Sequence, residues 1–120
     1  MLGNACMLTA DDYGLEAGCL GHPVIRTPHI DHLAARSVLY RKAFTPVSSC
    51  SPSRSSLLTG LPIHQNGMNG LHQDVHHFNS YPETQSLPTL LASPSLQTGI
   101  IGKKHVGPRL VEEKGFIIQL

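Results

Sequence analysis

No apolar run in this chain approaches the roughly 20 residues that a membrane span needs, which excludes a spanning helix. A basic block or stripe is missing too. Nine Lys and Arg against eight Asp and Glu leave a net charge of +1, so nucleic acid is not an expected partner. Cysteine is sparse: Cys6, Cys19 and Cys50 are widely and irregularly spaced, which excludes both a disulfide framework and a CxxC metal pair. There is no Asn-x-Ser/Thr sequon, hence no acceptor for an N-linked glycan. The opening MLGNACMLTADD has no basic region and reaches two aspartates too soon for a secretory h-region. The expectation is a cytosolic protein or a chain without its original start.

What is present is globular. Forty per cent of the 120 residues are hydrophobic, enough for one small domain with one core. The run 4–9 reads as a buried strand ending in Asp11-Asp12, followed by a glycine-rich loop. Thr27-Pro28 opens a helix, with Thr27 as N-cap and Ile30, Leu33 and Ala34 on its buried face. Residues 37–45 suit a second strand through Val38, Tyr40 and Phe44. Ser51-Pro52 repeats the cap-plus-proline signal and predicts a helix to Thr59, stopped by Gly60 and Pro62. A loop-rich stretch follows. Ser86 then caps a short helix that ends before Pro94, and TGIIGK forms a third strand. The final apolar run has no partner in view. Alternating strands and helices indicate an α/β layer structure, whose ligands sit beyond the carboxyl ends of strands.

Three polar clusters fall at or just past such ends, and the expectation is that they converge on one crevice. Asp11-Asp12 could hold a hard divalent cation with carboxylate oxygens, or be an exposed loop start. Cys50, at a helix N-terminus with Arg54 one turn on, could be a thiolate in an oxyanion pocket, or a small buried hydrophobe. Lys103 and His105, two apart on an extended strand end, share a face and offer a cation and a proton shuttle, or form a solvated basic end. His64, His72, His76 and His77 raise the question of zinc, but zinc sites show tighter, paired ligand sets, so solvated loop histidines are the better reading.

Cys50-Ser51-Pro52-Ser53-Arg54 matches the C-x-P-x-R signature of the sulfatase family, and SLLTGLP continues it. ADD after the first run, TPHIDHLAARSVLYRKAFT and TGIIGKKHVG resemble the family's other elements, so the resemblance covers about residues 4–108. It implies an alkaline-phosphatase-like sandwich, a mixed sheet flanked by helices, of which 1–108 would be the N-terminal portion and 109–120 a divergent tail. It also implies that a formylglycine-generating enzyme oxidises Cys50, and that the aldehyde hydrate attacks sulfur as a covalent nucleophile. Asp11, Asp12 and the modified Cys50 would bind Ca²⁺, Arg54 would hold the hydrate, Lys103 a sulfate oxygen, and His105 would take a hydroxyl proton.

The stretch from Ser48 to Ser80 is most similar to the branch that removes N-linked sulfate from glucosamine at the non-reducing ends of heparan sulfate. That branch implies S–N cleavage by a lysosomal homodimer. The family's calcium site also takes an Asp-Asn pair from far downstream, whereas fifteen residues follow His105 here. The expectation is therefore an N-terminal piece, inactive and marginally folded alone, with weak calcium binding. Rival readings are a non-catalytic sulfatase-like protein binding sulfated glycans, and a hydrolase using Cys50 as thiolate. Phosphatases of the superfamily carry serine or threonine where this chain has Cys50.

Overall fold

The computed structural model describes residues 3–93 and 95–106, and the backbone of 116–118. Most of the proposed divergent tail, and Pro94, therefore lie outside the described residues. The chain divides into two compact units, 1–44 and 45–120.

In the first unit a 3-10 turn at Gly18–Leu20 precedes helix α1, Pro28–Ala34. Pro28 stands at the helix start, where no intrahelical N–H is needed. Thr27 does occupy the N-cap position, but its hydroxyl does not cap the helix. Instead Thr27 Oγ1 accepts from the Gly18 N–H (2.8 Å) and donates to Asp31 Oδ1 (2.9 Å). Asp31 Oδ1 also accepts from the Cys19 N–H (2.7 Å). One carboxylate thus fastens the glycine-rich loop to α1 through orphan donors of the 3-10 turn. Replacing Asp31 with alanine is expected to cost about 1–3 kcal/mol, the price of leaving such donors unpaired. Faster amide exchange at Gly18 and Cys19 would report it; unchanged protection there would contradict the role.

Three expectations fail in this unit. Residues 4–9 and 37–45 are not strands: Leu8 is 88%, Val38 78% and Phe44 90% exposed. No residue of α1 is buried either, and Ile30 and Leu33 stand about half exposed. Strand propensity expresses itself only where a ladder partner and a facing layer exist. Among the described residues the one ladder between named strands lies in the second unit.

There α2 runs from Cys50 to Thr59, starting two residues earlier than the cap-plus-proline signal places it. Ser49 is the N-cap, and Pro52 falls at the third helical position. Proline is tolerated there because the first turn's N–H groups have no intrahelical acceptor; Ser53 N–H to Ser49 O (3.0 Å) is the first such bond. Gly60, at φ 69°, ends the helix in the left-handed conformation expected of a C-terminal glycine. Helix α3, Ile63–Asn66, follows Pro62, and α4, Leu87–Leu90, starts from a capping box between Ser86 and Thr89. Strand β1, Gly99–Ile101, matches the third predicted strand. It pairs in parallel with β2, Phe116–Ile118, Ile100 opposite Ile117. The terminal apolar run therefore has the partner that the sequence left unseen.

The apolar centre of this unit is Met68 and Val106, with Leu58, Phe78 and Ile100 packed on it. More of the buried positions are polar: Ser51, Ser55, Ser56, Asn66 and Ser86. Asn66 Nδ2 donates to Leu61 O (3.0 Å) and its Oδ1 accepts from the Met68 N–H (2.9 Å), so hydrogen bonds replace apolar area as the cement here.

Candidate active site

The N-terminus of α2 holds two of the residues singled out in the sequence, Cys50 and Arg54. Cys50 is its first residue and is half-buried, under the positive end of the helix. Arg54, four residues on, lies on the same face one turn later. The segment after β1 turns back to meet them. Lys103 Nζ donates to Cys50 Sγ at 3.6 Å, and Arg54 donates through a guanidinium nitrogen to Lys103 O. Residues some fifty positions apart are thus joined through a thiol–ammonium contact and a guanidinium–carbonyl bond. Val106, buried in the apolar centre, anchors the far end of the segment.

His105 is half-buried on the same segment. It does not share an extended face with Lys103, because it adopts φ 52°, a left-handed conformation costly for a side chain of its size. Strain of this kind persists where surroundings over-determine the backbone, as at reactive sites. Asp11 and Asp12 belong to the first unit, where both are exposed and Asp12 has φ 51°. Of the three clusters set at strand ends, only 103–105 follows a strand among the described residues.

One side chain's role escaped sequence reasoning, and the stretch read as loop-rich has a defined closure. Ser51, read as a cap, is fully buried and accepts from the His72 N–H (3.1 Å). Residues 66–81 close into a loop whose neck is the Tyr81 N–H to Asn66 O bond (2.9 Å). The glycines of NGMNGL were the available signal.

A single cysteine at a helix start thus has an ammonium on its sulfur and an arginine one turn on. The sulfatase family model matches residues 6–115, and the chain belongs to that family. It is 60% identical to human N-sulphoglucosamine sulphohydrolase, over 98% of this chain and 25% of that protein. Human arylsulfatase A is 37% identical, over 87% of this chain and 21% of that protein. Human N-acetylgalactosamine-6-sulfatase is 36% identical, over 88% of this chain and 22% of its own length. The chain spans about a quarter or less of the length of these curated relatives. Membership carries the α/β fold class, and the family generally works with a formylglycine made from cysteine and with a metal ion. Among the described residues no helix is long and apolar enough to cross a membrane.

Proposed function

We propose that the chain carries the nucleophile-bearing part of a sulfohydrolase acting on N-sulfated glucosamine at heparan sulfate ends. The observation that supports this most is the meeting of Cys50, Arg54 and Lys103, in a chain 60% identical to N-sulphoglucosamine sulphohydrolase. The net reaction adds water across a sulfamate: the S–N bond breaks, the amine leaves protonated and sulfate is freed.

Oxidised to formylglycine, position 50 supplies an oxygen nucleophile toward sulfur. Lys103 Nζ, at hydrogen-bond range from the side chain of position 50, binds a sulfate oxygen and offsets negative charge as it builds. Arg54 fixes the Lys103 main chain and adds a second positive charge. The free N–H groups of the α2 N-terminus favour an anion at the same point. His105 holds and moves the proton of a position-50 hydroxyl. Asp11 and Asp12 suit a hard divalent cation by donor chemistry: two adjacent exposed carboxylates, oxygen ligands only. We assign them to Ca²⁺, whose charge would polarise sulfate oxygens.

The family's sandwich is the fold we assign to the full-length protein. Leu8 and Phe44, about nine-tenths exposed, support further chain covering this part. A formylglycine-generating enzyme as maturation partner, a homodimer and a lysosomal location complete the reading. The 3.6 Å Lys103–Cys50 contact favours one alternative, a hydrolase using the unmodified thiolate. Release of sulfate from N-sulfoglucosamine by the full-length protein tests the proposal. Turnover is expected; its absence in protein carrying formylglycine would refute it.

A further inference from the structure

Ser51, Ser55 and Thr59 recur at four-residue spacing on α2, and all three engage the segment that follows the helix. Ser51 Oγ accepts from the His72 N–H (3.1 Å), Ser55 Oγ pairs with Ser80 Oγ (2.8 Å), and Thr59 Oγ1 accepts from Asn66 Nδ2 (3.5 Å). With its neck closed between Asn66 and Tyr81, residues 66–81 form a compact loop of the Ω kind, a class packed by its own side chains and often functional. Phe78 packs on the Met68 and Val106 centre, so close to Gly70 that a Cβ there would lie 2.5 Å from the ring. His72 Nδ1 bonds to Phe78 O (3.4 Å) across the loop.

The base of this loop is therefore fixed, and its pin nearest the helix start is Ser51, the neighbour of Cys50. The tip is different. Asp74 closes its turn, accepting from the His77 N–H on its carbonyl (2.9 Å) and from the Val75 N–H on its carboxylate (2.7 Å). His76 and His77 are exposed. The His76 ring rests against Phe78, centroids 5.8 Å apart, and His77 is held at φ 44°. Two exposed imidazoles thus stand on a loop whose base is hydrogen-bonded to Ser51, the neighbour of Cys50.

We propose that residues 71–78 are a sugar-recognition loop of this site, in which His76 and His77 donate to hydroxyl and sulfate oxygens of a sulfated aminosugar, and Ser51 is the positioning residue that holds the loop in place. The inference rests on the sulfohydrolase reading. Imidazole N–H groups are suited to both oxygen types, and a recognition element on a pinned loop loses little freedom on binding.

The test uses the full-length protein with Ser51→Ala, Ser51→Thr, and His76→Ala combined with His77→Ala. Rates are measured on N-sulfoglucosamine and on a small aryl sulfate that lacks a sugar, each normalised to formylglycine content at position 50. The paired histidine variant is expected to raise KM for the sugar about tenfold, with a much smaller effect on its kcat and on the aryl sulfate. Ser51→Ala is expected to speed His72 amide exchange and raise the same KM about fivefold, and Ser51→Thr to restore both. Equal losses on both substrates, or an unchanged sugar KM, would overturn the inference while the sulfohydrolase reading stands. A wild-type protein that bears formylglycine and cleaves neither substrate overturns the reading and the inference together.

Discussion

Cys50→Ala in the full-length protein is expected to abolish sulfate release, a loss of about a millionfold in kcat if position 50 is the covalent nucleophile. The reason lies in the geometry around one atom. Cys50 Sγ stands at the helix start with Lys103 Nζ 3.6 Å away, so an atom at that place receives charge stabilisation from two directions. Alanine leaves the cations in position but gives sulfur nothing to bond. Cys50→Ser separates attack from release. A serine oxygen can take sulfate but lacks the second hydroxyl that an aldehyde hydrate uses to expel it, so at most one sulfate per site is expected and no sustained turnover. Turnover by either variant near the wild-type rate would remove position 50 from the mechanism.

The second large effect is expected at Arg54 and Lys103. Each alanine variant should lower kcat by about 100- to 1,000-fold, the range for a positioned donor at developing charge. Combining the two should cost less than the product of the single losses. Arg54 donates to the Lys103 carbonyl, so its loss also releases the backbone that holds the Lys103 ammonium. Residues acting as a unit are non-additive in this sense. A double-mutant cycle on kcat measures the coupling, and fully multiplicative losses would show that the arginine does not position the lysine.

Helix boundaries are legible in the sequence because their signals are local. Pro28, Ser86 and Gly60 sit within one turn of the boundaries they mark. The start of α2 was misplaced by two residues because proline is acceptable anywhere in the first turn, so Pro52 does not define the first position. Strands were harder. Residues 4–9 and 37–45 carry strand-forming side chains, yet no partner strand meets them among the described residues. The terminal run around Ile117 looks solitary in sequence and is paired with β1. Pairing is a non-local property, and propensity does not encode it.

The site divides along the same line. Cys50 and Arg54 are legible together because four residues make one helical turn. Lys103 is legible as a cation past a strand end, and the rule that such ends share one crevice sets it near Cys50; its actual contact, across some fifty residues, leaves no mark in spacing. Ser51 was misread for a related reason: a serine beside a proline at a helix start looks like a cap, and its actual acceptor role is set by His72, twenty-one residues away.

The most direct test of the central claim is the mass of the tryptic peptide 43–54 from protein passed through a secretory pathway. The account predicts an aldehyde in place of the Cys50 thiol, trapped by a hydrazide probe on that peptide. An intact thiol at position 50 in protein that turns over N-sulfoglucosamine would contradict it.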